Sequence, residues 1–281
     1  MASPRYEDTP VTIEVPPPRA SVDLVTVRDQ GRIRLVTLDD AESRNALSRR
    51  MLQSVVDALG TATRDDVPAV VLSGARGTFA SGADLRELDG ATPGSYLAQR
   101  RAELWDQIAE FPNLIVAAVQ GYALGGGCEL ALTCDAIVAG DRTMFGQPEV
   151  RIGAVPGAGG SQRWPRAAGR FHAAPLVLGG VRIDAREALQ MGVVDRVVPE
   201  RRVVAAAVDL ANELLDGVSL NAQRKAKQLL RLSEEATLSD GLVSERQEFA
   251  SLIDTPDLHE GIAAVLEKRP AHFPITKSGA S

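Results

Sequence analysis

Cysteine is scarce in this 281-residue chain, which has only Cys128 and Cys134. Five residues separate them within one presumed helix, a spacing that fits neither a common zinc pattern nor a redox CxxC pair. A disulfide framework is thereby excluded, and reduced, buried packing thiols are expected. Histidine is nearly as rare: His172, His259 and His272 are all there are. None stands beside a recognisable nucleophile elbow, so a Ser–His–Asp hydrolase has no visible foundation, and a surface helix position is expected for each. Aromatic residues make up 4% of the chain, net charge is −6 and the pI is near 5.3. That leaves no stacking platform for single strands and no overall pull on nucleic acid. The basic clusters at Arg49–Arg50, Arg100–Arg101 and residues 224–227 are read as exposed helix faces. No apolar run approaches the roughly 18 residues of a membrane span. The opening MASPRYEDTP has the organisation of neither a secretory signal nor a transit peptide, so a cytoplasmic protein without membrane contact is expected.

What is present describes an ordinary globular chain, 44% hydrophobic and 24% charged, with length enough for a substantial core. Residues 1–20 hold Pro4, Pro10, Pro16, Pro17 and Pro18 and no sustained apolar period, so a mobile tail is expected there. Two β-rich runs, 22–27 and 32–38, flank Asp29, Gln30 and Gly31 and predict a hairpin. Leu47, Met51, Leu52, Val55, Val56 and Leu59 recur at helical spacing. Short buried-type strands are predicted at 69–73, 114–119 and 193–198, with helices over 96–111, from the glycines before Cys128, after residues 157–160, and from Asp184. Pro175 should end or bend a helix over 169–180. Beyond Glu200 helical patterns dominate, at 203–215, 222–232 and 242–253. No repeated motif is visible, although the strand–strand–helix succession suggests repeated structural turns.

The most informative stretch runs from residue 119 to 160. Gly125, Gly126 and Gly127 allow backbone to approach a ligand closely. If a helix starts there, its first N–H groups lack intrahelical acceptors and suit a developing oxyanion. Glu129 falls in the first turn and Glu149 follows twenty residues later, so folding can bring two carboxylates to one small substrate. Read singly, each has a plainer meaning: Glu129 as a cap on its own helix, Glu149 as a solvated loop carboxylate, the glycines as a turn or a phosphate cradle.

Together these residues resemble the enoyl-CoA hydratase/isomerase (crotonase) superfamily, and its hydratase members in particular. The likeness includes RNAL at 44–47, FASGADL at 79–85, GYALGGGCELAL at 121–132, FGQPE at 145–149 and PGAGG at 156–160. It continues through IDAREALQMGVVDRVVP at 183–199 to EGIAAVLEKRP at 260–270, in family order. The resemblance implies an α/β fold: a crotonase-like β-β-α spiral core over about 21–199 that carries the active site, then a helical C-terminal region over 200–281 that mediates oligomerisation. Homotrimers or dimers of trimers are the implied assembly.

The implied reaction is hydration of a trans-2-enoyl-CoA to a 3-hydroxyacyl-CoA, a hydro-lyase reaction whose coenzyme A thioester is substrate, with no further cofactor and no metal. By resemblance, Glu129 and Glu149 are the catalytic pair. The N–H groups of Ala83 and Gly126 form the oxyanion hole. Ser81, Ala83, Asp84, Leu85 and Lys268 contact coenzyme A. Ser81 stands where alanine is common, and AAPLVLGG around Pro175 departs from the family's unbroken helix, which bears on the acyl pocket. The alternatives are an isomerase working with one carboxylate, or a non-catalytic acyl-CoA- or RNA-binding relative.

Overall fold

The computed structural model describes residues 24–273, so the tail expected over 1–20 lies outside the described residues. The chain begins with β1 (Val25–Gln30) and β2 (Ile33–Leu38), an antiparallel hairpin in which Gln30 faces Ile33 across a two-residue turn. Gly31 takes φ +60° there, which is the conformation a tight hairpin turn demands. Next comes α1 (Arg49–Arg64), with Ser48 as N-cap accepting from the Met51 N–H. It buries Met51, Leu52, Val55 and Leu59, the residues picked out by their period. Strand β3 (Ala69–Gly74) leads through the site loop to α2 (Pro93–Ala98) and α3 (Arg101–Ala109), then β4 (Leu114–Val119), β5 (Tyr122–Leu124) and α4 (Gly126–Thr133). The chain continues with β6 (Ala136–Gly140), β7 (Met144–Gly146), α5 (Gly160–Ala168), α6 (Arg170–Gly179), β8 (Arg182–Asp184), α7 (Ala185–Gln190) and β9 (Arg196–Val198). Four helices close it: α8 (Val203–Leu215), α9 (Leu220–Glu235), α10 (Leu238–Leu252) and α11 (Pro256–Glu267).

The larger sheet runs β1-β2-β3-β4-β6-β9 and is parallel after the hairpin, while β5, β7 and β8 form a second, smaller sheet. Both faces of the larger sheet are covered, which explains why β3 and β4 read as unbroken apolar runs. Val70, Leu72, Ile115 and Ala117 face the cluster that includes α1, whereas Val71, Val116 and Val138 face Val203, Ala207, Leu210 and Ala211 of α8. Thus α8, which the sequence groups with the C-terminal helices, packs as part of the spiral's core.

The repeat that no motif betrays is carried by one polar residue just before each of β4, β6 and β9. The Asn113 amide donates to the Val67 carbonyl at 2.7 Å. Asp135 accepts the Ile115 N–H at 2.7 Å and donates its own N–H to the Ile115 carbonyl at 2.8 Å. Asp195 does the same with Ile137, at 2.7 and 2.9 Å. Each turn of the spiral is pinned to the one before it by a short side chain that satisfies backbone where the ladder begins.

Three local expectations change. The helix predicted over 96–111 is two helices, because Arg100 adopts a left-handed φ of 51° between α2 and α3. That break turns Arg101 inward, where its guanidinium pairs with Glu87 and donates to the Leu47 carbonyl at 2.6 Å. Arg101 is therefore buried, not part of an exposed basic face. Pro175 neither ends nor breaks α6, which runs on to Gly179. The ring is exposed, and the hydrogen bond it forgoes is the one to Phe171 in the first turn, itself 91% exposed, where water can serve the freed carbonyl. His172 and His259 sit exposed on α6 and α11 as expected, whereas His272 lies beyond the last helix. Both thiols are free; Cys128 is buried, and Cys134 is half-buried at the end of α4 with its Sγ against the Leu130 carbonyl.

Candidate functional site

The site forms where the loop after β3 meets the start of α4. The chain from Phe79 to Leu124 is stitched by backbone pairs: Phe79 N–H to Gln120 carbonyl, Ala80 N–H to Tyr122 carbonyl and Leu124 N–H to Ala80 carbonyl, at 2.9, 3.0 and 3.2 Å. This brings Ala83 beside Gly126. A Cβ built on Gly126 would lie 3.5 Å from the Ala83 nitrogen and 3.6 Å from Leu47 Cδ1, at ordinary van der Waals contact with both. Neither N–H donates a hydrogen bond among the described residues. For Gly126 that follows from its place at the first position of α4.

The three glycines serve different needs. Gly125 has φ +50°, and a side chain there would meet the Glu149 carboxylate at 2.9 Å. Gly126 leaves its amide open. Gly127 packs directly on β-bridged backbone, since a Cβ would fall 2.2 Å from the Ala80 carbonyl oxygen.

Glu129 and Glu149 are brought together, in unlike surroundings. Glu129 is 2% exposed, and its Oε1 accepts the N–H groups of Ala158 and Gly160 at 2.7 and 2.8 Å. It therefore caps the N-terminus of α5, not that of its own helix. Burial raises its pKa above the usual carboxylate value, opposed by those two hydrogen bonds and by the charge of Arg163. Glu149 lies half-buried in a 3-10 turn over Pro148–Ile152. Burial above all pushes it up to about 7, and the charge on Glu129 adds to the effect. Burial thus raises both carboxylates, and Glu149 far enough to retain its proton into the neutral range.

The sequence reading missed several residues that hold this arrangement. Gln147 is fully buried, and with its amide nitrogen toward Glu149 it donates to both carboxylate oxygens, at 3.0 and 3.2 Å. A Cβ on Gly160 would lie 2.5 Å from that amide, so the glutamine fills the space under the turn that holds Glu129. Its signal was its place before Pro148–Glu149. Arg163 and the pairing of Arg101 with Glu87 left no comparable sign, because their partners are distant in sequence.

The remaining predicted contacts are placed as follows. Ser81 and Leu85 flank Ala83; the Ser81 hydroxyl donates to the Ser43 carbonyl at 3.0 Å, and Leu85 is 38% exposed. The Asp84 carboxylate is occupied by Arg86, at 2.7 and 2.8 Å, so only its backbone remains for a ligand. Lys268 is exposed at the end of α11 with φ 54°, and within the described chain nothing joins it to the carboxylates.

A family model described as enoyl-CoA hydratase/isomerase matches residues 28–275. The 2,3-dehydroadipyl-CoA hydratase of Escherichia coli (strain K12) is 42% identical over 252 residues, 89% of this chain and 98% of that protein. A probable enoyl-CoA hydratase of Rhizobium meliloti (strain 1021) is 42% identical over 255 residues, 90% of this chain and 98% of that one. Among solved structures, an enoyl-CoA hydratase subunit I from Geobacillus kaustophilus HTA426 superposes with a TM-score of 0.86 at 36% identity, covering 90% of this chain and 98% of its own.

Proposed function

Since the chain belongs to the enoyl-CoA hydratase/isomerase family, we propose that it adds water across a trans-2-enoyl-CoA to give a 3-hydroxyacyl-CoA. The observation that carries this reading is the pair in unlike surroundings: Glu129, gripped by two backbone amides that favour its ionised form, faces Glu149, which keeps its proton to about 7. Hydration needs both states at once. Glu129 takes a proton from water as its oxygen attacks C3, electron density moves onto the thioester oxygen, and Glu149 delivers a proton to C2. The open N–H groups of Ala83 and Gly126 receive the developing negative charge; loss of one such donor typically costs about 10²–10³ in rate. Gln147 steadies Glu149 once the proton has gone. The coenzyme A portion passes Ser81, Ala83, Asp84 and Leu85, and Lys268 reaches a phosphate within a homotrimer or dimer of trimers. Leu230, Leu238, Phe249, Val265 and Leu266, each at least 65% exposed in the single chain, favour such an assembly.

The test is turnover of crotonyl-CoA and 2,3-dehydroadipyl-CoA by the wild type and by Glu129→Gln and Glu149→Gln. Each substitution nearly preserves shape and should lower hydration at least about 10²-fold while acyl-CoA affinity stays within several-fold. Near-normal hydration by either variant refutes the two-carboxylate mechanism. Tolerance of one substitution together with better use of a 3-enoyl-CoA would mark an isomerase.

A further inference from the structure

Arg163 lies on α5, one turn beyond the loop that grips Glu129. Its Nη1 donates to the Ala158 carbonyl at 2.9 Å. The same residue's N–H, with that of Gly160, holds Glu129 Oε1. Between them, Gly159 takes φ +109°, and a Cβ there would fall 2.1 Å from Arg163 Nη1. The glycine thus meets two demands at once, a backbone conformation and room for the guanidinium. Trp164, fully buried beside Arg163 in the chain, fixes the helix from which the arginine reaches back.

We propose that Arg163 is a positioning residue, locking the 158–160 turn through the Ala158 carbonyl and setting a positive charge behind the carboxylate of Glu129. The charged and titratable groups facing Glu129 are few. Glu149 faces it from the 3-10 turn, and it is the charge on Glu129 that helps to raise Glu149. The Cys128 thiol, on the same helix, is pushed up to about 12 by burial and stays neutral. Among the described residues, Arg163 is the one cation whose charge acts on Glu129. It therefore favours the ionised form of Glu129, alongside the two backbone N–H groups. The role of Glu129 as base rests on the hydratase reading; the grip on its carboxylate does not.

The test uses the full-length protein with glutamate labelled with carbon-13 at the side-chain carboxyl, the Glu129 resonance being assigned by its loss in Glu129→Gln. In Arg163→Gln the Glu129 titration should move up by about one pH unit. The acid limb of kcat/KM should move with it, while KM for crotonyl-CoA stays within about two-fold. Arg163→Lys keeps the charge but not the fork, so its titration should stay near the wild type while amide exchange at Ala158 and Gly160 quickens. An unmoved titration in Arg163→Gln, with only the melting temperature lowered, overturns the proposal. So does unchanged protection of the two amides in Arg163→Lys, which decides the matter if Arg163→Gln does not fold. Failure of the wild type to hydrate any enoyl-CoA would refute the hydratase reading and leave the titration result standing.

Discussion

At the scale of single residues, the carboxylate pair carries a cost that pH exposes. Glu149 has an ordinary value of 4.5 in the unfolded chain and about 7 when folded. Below 4.5 both states hold the proton and the residue is neutral to stability. As pH rises toward 7 the unfolded chain loses its proton first, so unfolding is favoured, and above 7 the penalty is complete. Glu149→Gln cannot ionise and escapes it. The variant's melting temperature should match the wild type near pH 4 and exceed it at pH 8, the difference opening between those limits. A difference constant across pH, followed by scanning fluorimetry, would mean that the glutamine acts through packing alone. Stability and activity should therefore move in opposite directions at this residue, as at other sites that keep a costly group for chemistry.

At the scale of elements, α4 depends on how closely its first turn approaches the Phe79–Ala80 segment. Gly127→Ala would put a methyl 2.2 Å from the Ala80 carbonyl oxygen and 2.8 Å from its carbon, backbone atoms that no rotamer change can move. The variant should lose about 1–3 kcal/mol, the usual cost of overpacking, in denaturant unfolding. Gly126→Ala meets its neighbours at ordinary contact distances, 3.5 and 3.6 Å, and should fold nearly normally while crowding the space between the amides. Such distinctions mark the limit of what the chain alone reveals. The glycine triplet, both glutamates and the helix after them were legible because they are contiguous. So were the strands, whose doubly buried faces leave continuous apolar runs. The division of labour among the three glycines was not, since it depends on Ala80, Ala83 and Glu149 arriving from elsewhere. The break at Arg100 was hidden for a similar reason: the apolar period of 96–111 is unaffected by one left-handed residue whose benefit lies at Glu87 and Leu47. The plainer alternative for Glu129, a cap on its own helix, has the right kind of contact and the wrong helix, because the one it caps begins thirty-one residues later.

At the scale of the whole molecule, α9 buries no residue fully and is fastened to the spiral by charge. Lys227 donates to the Asp135 carboxylate and to the Asn113 carbonyl, each at 2.7 Å, and lies 5.6 Å from the centre of the Phe111 ring. Arg224 donates to the Asn113 side chain at 2.6 Å. Arg224 and Lys227 are thus fasteners, attached to two of the residues that pin the spiral's turns, while Lys225 pairs with Glu248 of α10, so the cluster is not a free face. Lys227→Met should leave the Asp135 carboxylate poorly paired, at a cost of about 1–3 kcal/mol. Hydrogen exchange should quicken across residues 220–267 with little change in β3 and β4; uniform loosening throughout the sheet would show that the contact supports the fold in general. The order of the larger sheet, β1-β2-β3-β4-β6-β9, has a further consequence for biosynthesis. Strands join it in the order in which a ribosome delivers them, each onto a neighbour already made, and the pinning residues Asn113, Asp135 and Asp195 arrive immediately ahead of the strands they register. Growth is vectorial, with no late strand to be threaded between earlier ones. The face that α8 will cover stays bare until translation passes Leu215, so the nascent chain is most in need of shelter when Glu129 and Glu149 have already been made.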